Sequence, residues 1–397
     1  MNASFQHAAA IIQVLEGSGH EAYFVGGSVR DHLMERALGD IDIATSATPD
    51  QIQSLFPKTV DVGAEHGTII VVTEHDSFEV TTFRTDGTYT DNRRPDEVMF
   101  VKSLFEDLKR RDFTMNAIAM TRTGEILDQF HGKKDIERKI IRTVGEASER
   151  FHEDALRMFR ALRFSSQLGF SIDKETFLAI KKNASLMENV SVERKTVEME
   201  KLLLGKGLNK AIPLLIDSGL FRYLPFLEEK REELGRLASF PFLDLSSRIE
   251  LWTAFANLLE ITELEAFLNA WKLPKKVSKA VMLNILTMQQ FIENGWYREL
   301  VYFSGKEACL TSHEILVLQG KDKPDSYETI QQLYKALPIQ GIKDIAANGN
   351  DLVEWRGQKR GKWISELLHD LEKEILEGKV QNEAGAIKEW VRSWQLK

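Results

Sequence analysis

At 397 residues the chain is longer than one ordinary core serves, so roughly two to four subdomains are expected. Its 43% hydrophobic and 28% charged content is that of a globular protein, and no apolar run nears the ~20 residues that cross a bilayer, which excludes a membrane span and a membrane partner. A single cysteine, Cys309, excludes internal disulfides and cysteine-based zinc sites; with no signal-peptide layout a cytoplasmic protein is expected, and a net charge of −8 argues against broad coating of nucleic acid while leaving room for local basic tracks.

In chain order, residues 4 to 19 predict an opening helix, apolar at Ala8, Ile11, Ile12, Val14 and Leu15 and stopped by Gly17 and Gly19. Glu21–Val25 reads as a strand, Ser28–Leu38 as a helix and Asp40–Ala44 as a second strand. Thr48-Pro49-Asp50 is an N-cap with proline at the first helical position, opening a short helix to Phe56. Thr59–Val62, Thr68–Val72 and Phe78–Phe83 carry β signals, and Arg84–Glu97 is a polar, turn-rich loop. Asp112–Met120 is expected to be helical and Ile126–Asp128 an edge strand. Near residue 145 strand signals largely cease and helical periodicity runs to the C-terminus. The expected fold class is α+β, a head followed by an elongated all-helical neck, body and tail, divided at 1–147, 148–210, 211–305 and 306–397.

The stretch Phe24 to Ala44 concentrates the chemistry. Its apolar strand ends in Gly26-Gly27, and a helix follows on which Arg30 occupies the first turn. Backbone N–H groups at that helix start favour a phosphate, and the planar fork of Arg30 suits phosphate oxygens. In Asp40-Ile41-Asp42-Ile43 the period-two geometry sends both aspartates to one face. There they repel unless a cation compensates, and carboxylate oxygens suit Mg²⁺. Glu79, on the face of Thr81, is either a third acid near that cation or a solvated strand carboxylate. The pattern is neither a Walker A loop nor a Gly-x-Gly-x-x-Gly fingerprint. Apolar-Gly-Gly, about a dozen residues, then Asp-apolar-Asp resembles the signature of polymerase-beta-like nucleotidyltransferases.

In Lys109-Arg110-Arg111-Asp112, the aspartate reads as an N-cap that leaves the arginines free to face a ligand, against the alternative of a solvated basic patch. Arg157, Arg160 and Arg163 recur every third position, so on a helix they drift about 60° per step and form a ridge, with Asp154 one turn from Arg157. An ion pair on an exposed helix would use the same spacing. An Asp/Arg pair could instead read a base edge, the carboxylate accepting from an exocyclic amino group and the guanidinium donating to a ring nitrogen or carbonyl. Cytosine and adenine share that amino group beside an acceptor nitrogen; guanine and uracil do not. Arg160 and Arg163 would then face a triphosphate. Further on, Trp355 to Trp363 forms a basic, glycine-containing turn before a helix, suited to an RNA backbone or to a plain interhelical loop, and His369-Asp370 is too isolated for a phosphohydrolase site.

Taken together, Tyr23–Ala44, Val62–Thr68, Glu79–Arg84, Arg110–Ala117, Gly132–Val144, Glu153–Gly169 and the run Ser191–Leu203 resemble the class II CCA-adding enzymes (tRNA nucleotidyltransferases) of Gram-positive bacteria. The resemblance implies a polymerase-beta-like nucleotidyltransferase head, Gly27 and Arg30 as triphosphate contacts, and Asp40 and Asp42 as catalytic ligands of Mg²⁺. It implies Arg111, Asp154, Arg157, Arg160 and Arg163 as nucleotide contacts, and places Asp112 and Asn116 in a motif associated with ribose recognition. It further implies CTP and ATP as substrates, tRNA as the partner held by the tail, and allows a homodimer. The loop Arg84–Glu97, with Arg93-Arg94-Pro95, resembles that of enzymes adding A as well as C. Rival readings are a bacterial poly(A) polymerase, an enzyme adding CC alone, and a non-catalytic tRNA-binding scaffold.

Overall fold

The computed structural model describes residues 3–74, 76–86 and 98–394. They form two compact units, Met1–Ser239 with Ala270–Lys272, and Phe240–Asn269 with Leu273–Lys397.

The first unit opens with α1 (Ala3–Gly17), β1 (Ala22–Val25), α2 (Gly27–Leu33), β2 (Asp42–Thr45), α3 (Pro49–Leu55), β3 (Thr59–Gly63), β4 (Thr68–Val72) and β5 (Ser77–Thr82). With β6 (Arg84–Asp86), β7 (Val98–Phe100), α4 (Leu104–Lys109), β8 (Ala119–Met120) and β9 (Ile126–Leu127) it completes the head sheet and its flanking hairpin. The seven-stranded sheet runs β3-β4-β5-β2-β1-β8-β9; β2 and β5 are parallel and the other pairs antiparallel. Alternation along β2 does what its sequence requires: Ile43 is fully buried and Ile41 nearly so, while Asp42 and the preceding Asp40 lie on the opposite, open side. Val25, Ala44, Phe83, Leu108, Ala117 and Ala119 pack into one core under this sheet. Thr48 caps α3 in a capping box, its Oγ1 accepting from the Gln51 N–H at 3.4 Å while Gln51 Oε1 accepts from the Thr48 N–H at 2.8 Å.

Four sequence expectations give way to tertiary context. The helix expected over Ser28–Leu38 stops at Leu33, and Glu35 takes a left-handed φ of 53°. No residue from Asp31 to Asp40 is buried, so nothing holds a longer helix to the sheet. The helix expected over Asp112–Met120 is a single 3₁₀ turn, Thr114–Asn116, followed by β8. Here the Thr114 N–H donates to Arg142 O at 2.9 Å and the Val144 N–H to Asp112 O at 3.2 Å, pairings that take the backbone out of helical geometry. The helix instead lies upstream, as α4. Arg84–Asp86, expected in a loop, pairs antiparallel with Val98–Phe100; residues 87–97, including Arg93, Arg94 and Pro95, lie outside the described residues. Finally, Asp154 is not on the helix of Arg157. It is extended (φ −143°, ψ 102°) between α5 (Gly132–Arg138) with α6 (Ala147–Glu153) upstream and α7 (Leu156–Leu168) downstream.

The helices α8 (Lys174–Asn183), α9 (Val192–Leu203) and α10 (Leu208–Ser218) complete the support of α7, helped by a two-stranded parallel pair of Ile140–Ile141 with Ser171–Ile172 that carried no periodicity to read. Packing of α7 on the turn after α9 is close enough to demand glycine. A Cβ at Gly205 would sit 2.1 Å from Ser166 Oγ, and the Gly207 N–H donates to Ser166 O at 2.7 Å. Gly205→Ala is therefore expected to lower stability by about 1–3 kcal/mol, read as a lower urea midpoint at unchanged m-value. An unchanged midpoint would mean the turn yields freely.

The second unit consists of helices. Its core gathers Val301, Cys309, Ile330, Leu352, Leu367 and Ile375. The segment Arg298–Leu318 is two helices merged across Gly305, whose φ of 76° breaks the rod. No described helix is long and apolar enough to cross a membrane.

Candidate active site

A cavity of about 620 Å³ opens in the first unit, and every site residue expected from sequence lines it: Gly27, Arg30, Asp40, Asp42, Arg111, Asp154, Arg157, Arg160 and Arg163. Its floor is the end of β1. Gly26 has a φ of 73°, and a Cβ there would lie 2.9 Å from Arg111 Nη1 and 3.6 Å from Asp42 Oδ2, so glycine lets the backbone approach both groups. Arg30, on the first turn of α2 and 8% exposed, donates from Nη1 to Asn116 Oδ1 at 2.8 Å, while Nε and Nη2 hold Asp31 at 3.0 and 2.9 Å.

The acidic wall comes from two strands. Sheet register places Asp42 opposite Glu79, and Glu79 also lines the cavity. Burial first, then Glu79 and Asp40, push the Asp42 carboxyl up to about 6 against the pull of Arg111. A divalent cation is the natural relief for such a donor set, since two hard carboxylates on one face repel and Arg111 offsets the Asp42 charge in part. Among the described residues no three ligating side chains converge on one point, so the fit rests on Asp40 and Asp42.

The basic wall is held in place by buried acids. Asp107, 1% exposed, accepts from Arg110 Nη2 at 2.7 Å and from Arg111 Nη2 at 3.1 Å. Burial pushes the Asp107 carboxyl up, but the charges of Arg111 and Arg110 outweigh it and hold the carboxyl below its usual range. Asp112, rather than capping a long helix, accepts from Asn116 Nδ2 at 3.0 Å and from Arg160 Nε at 2.8 Å, with Arg160 Nη2 in ion contact at 2.7 Å. Against its burial, Arg160 and Asn116 bring Asp112 down to about 2. Arg163 Nε approaches Glu198 Oε2 to 2.6 Å as an ion contact whose angle makes no hydrogen bond, and its Nη1 donates to Gln167 Oε1 at 2.7 Å.

Asp154 and Arg157 share the cavity but do not pair with each other as an i,i+3 pair. Asp154 Oδ2 accepts from Arg194 Nη2 at 2.7 Å and Oδ1 from the Leu156 N–H at 3.1 Å. Arg157 donates from Nη1 to Glu153 Oε2 at 2.7 Å and from Nη2 to Arg110 O at 2.8 Å. Acceptor and donor are thus fixed by separate partners, an arrangement that keeps the two side chains apart and able to face a third group. Sequence reasoning missed Asp107, Glu198, Phe164 and the role of Arg194. The i,i+4 spacings of Asp107 with Arg111 and of Arg194 with Glu198 were available signals, though nothing in the sequence says which charges face inward.

In the second unit the basic turn stands where its glycines placed it. Gly357 ends one helix in a left-handed conformation, the next begins at Trp363, and Lys359, Arg360 and Lys362 between them are exposed. Arg356 is committed to structure, donating to Val391 O at 3.0 Å and Trp394 O at 2.6 Å.

Against known families, residues 22–142 match the poly A polymerase head domain, residues 169–231 the probable RNA and SrmB-binding site of polymerase A, and residues 243–391 the putative domain 2 of tRNA nucleotidyltransferase. The CCA-adding enzyme of Bacillus subtilis is 49% identical over 397 residues, 99% of either chain. That of Geobacillus kaustophilus is 47% identical over 393 residues, 98% of this chain and 97% of the relative. Among solved structures, the Bacillus stearothermophilus CCA-adding enzyme in complex with CTP superimposes with a TM-score of 0.90 at 44% identity, covering 99% of this chain and 98% of that one.

Proposed function

The chain belongs to the CCA-adding enzyme family, and we propose that its cavity is where the 3′-terminal CCA of tRNA is built and repaired from CTP and ATP, with release of pyrophosphate. The observation that carries this reading is the near-full-length identity to CCA-adding enzymes, including one solved with CTP, joined to a single cavity that contains acids, arginines and an Asp/Arg pair.

In this reading the residues divide by chemistry. Asp40 and Asp42 would hold Mg²⁺, which when bound neutralises phosphate charge and makes the tRNA 3′-hydroxyl a better nucleophile. Gly26 and Gly27 keep side chains out of the phosphate path, and Arg30, Arg111, Arg160 and Arg163 offer forked donors to its oxygens. Asp154 accepts from the amino group of cytosine or adenine and Arg157 donates to the adjoining ring atoms. Asn116, which bridges Arg30 and Asp112, supports the ribose recognition that the family resemblance implies for this motif. No side chain is needed as a covalent nucleophile, because the 3′-hydroxyl attacks the α-phosphorus and pyrophosphate departs.

The segments 1–147, 148–210, 211–305 and 306–397 serve this proposal as head, neck, body and tail, and the exposed Lys359, Arg360 and Lys362 support a grip on the tRNA backbone. A cytoplasmic location fits a tRNA substrate. A homodimer is part of the proposal, supported by the exposed Met282, Leu283 and Leu286 on one face of the Lys275–Asn294 helix, and sedimentation of the full chain decides it.

One assay separates the readings. Given tRNA lacking its 3′ end with CTP, ATP or both, the sequenced products should end in CC, unextended or CCA respectively. Long A tails would identify a poly(A) polymerase, CC alone with both nucleotides a truncated activity, and no extension a scaffold.

A further inference from the structure

Three guanidinium groups of the cavity converge on one aromatic ring. The Cζ atoms of Arg30, Arg160 and Arg163 lie 5.2, 5.4 and 3.6 Å from the ring centroid of Phe164, a buried residue that lines the cavity. Arg160 and Arg163 share α7 with Phe164, whereas Arg30 arrives from α2. The fully buried Phe113 sets its ring edge-on to Phe164, with centroids 5.8 Å apart and planes at 87°, which fixes the ring's tilt.

Three like charges around one point repel, and each has an acid that offsets it: Asp31 for Arg30, Asp112 for Arg160 and Glu198 for Arg163. A carboxylate, however, occupies the N–H donors it holds. An aromatic face attracts a guanidinium through its quadrupole without occupying any donor in the guanidinium plane. A ring beneath the arginines can therefore orient them while leaving N–H groups for an incoming anion. Burial moves Arg163 down to about 10, still far above neutrality, so the group nearest the ring stays cationic.

We propose that Phe164 is a positioning residue for polyphosphate binding: its ring is a shared platform that aims Arg30, Arg160 and Arg163, from two separate helices, at the phosphates of whichever nucleotide enters. The inference rests on the reading of this cavity as the nucleotide site. It makes Phe164 indifferent to the base, which distinguishes it from the Asp154/Arg157 pair.

The test compares Phe164→Met, which keeps volume and apolarity but removes the ring, with Phe164→Tyr, which keeps the ring, in the full chain. Equilibrium affinities for CTP, ATP and inorganic triphosphate are measured, together with tRNA affinity and thermal unfolding. Phe164→Met is expected to weaken all three anions by a common factor of about ten, leaving tRNA affinity unchanged, and Phe164→Tyr to stay within about twofold of the parent. Phe164→Leu serves as a second ring-less variant if the Met variant does not fold. Ring-less variants that bind all three anions like the parent would overturn the proposal even if they melt lower. A loss confined to one nucleotide, or sparing triphosphate, would overturn it too. Arg163→Ala in parallel separates the two readings: if it weakens binding while the ring-less variants do not, only the platform fails. If the parent protein binds neither nucleotide, the nucleotide site itself fails.

Discussion

Asp42→Ala is expected to cut nucleotide incorporation by about three orders of magnitude or more while the chain still folds and still binds tRNA. The size follows from what the carboxylate would do, since a metal-held reaction loses several kcal/mol of charge stabilisation when a ligand goes. Retained folding follows from the local electrostatics. Asp42 sits opposite Glu79 in the sheet register, and burial, Glu79 and Asp40 together lift its carboxyl to about 6. A folded-state value above the ordinary 3.8 means the native state binds the proton more tightly than the unfolded chain. Stability conferred by this group is present at low pH and declines as pH rises through about 6, so at neutrality ionised Asp42 opposes folding. Asp42→Asn should accordingly melt no lower than the parent at pH 7 and still be inactive. Single-turnover incorporation, tRNA affinity and a melting curve check the three parts, and unaffected turnover would remove the metal assignment.

The second large effect concerns base choice. Asp154→Ala should reduce incorporation of CTP and of ATP by about 10- to 100-fold, the usual cost of losing a hydrogen bond to a charged group, and should collapse the preference over UTP and GTP. Arg157→Ala should do the same from the donor side. The two carboxylate oxygens of Asp154 already hold Arg194 and the Leu156 N–H, so its removal also leaves Arg194 without that acid. A control at Arg194 is thus needed: Arg194→Ala keeps the Asp154 carboxylate and should impair selectivity less. Competition among all four nucleotides on tRNA ending at the discriminator base gives the readout. Equal loss for all four nucleotides would place base selection elsewhere.

These two expectations separate chemistry from selection along the chain. Asp42 would act from a strand of the head sheet, and Asp154 from the break between α6 and α7, more than a hundred residues later. In the proposed site Arg30, Arg111, Arg160 and Arg163 would serve the phosphates of any nucleotide, and three of them, Arg30, Arg160 and Arg163, lie over the ring of Phe164.

Much of this is legible in the sequence. Strand periodicity placed Ile41 and Ile43 inside and the aspartates outside, because a period of two leaves no other choice once one face is buried. The Thr48-Pro49 start of α3 and the edge strand at Ile126 were likewise local, set by capping chemistry and short-range alternation. The arginine ridge on α7 needed only helical spacing. What failed was any expectation for which local preference met a stronger non-local partner. Asp112 looked like a helix cap, but backbone pairing of Asp112–Thr114 with Arg142–Val144 takes the segment out of helical form and frees the carboxylate for Arg160. Asp154 and Arg157 looked like neighbours on one helix, but Arg194 and Glu153 take one each.

The sequence alone determined the residue types, their order, and the faces on which short elements present them, since these depend on bonds and spacings within a few residues. Only the tertiary structure decided which charges share an interior. Ion pairing and cation–π contact across elements depend on distances of a few ångströms between segments remote in the chain, and these no periodicity encodes: Glu198 reaching Arg163, Asp112 taking Arg160, and Arg30 meeting the ring of Phe164.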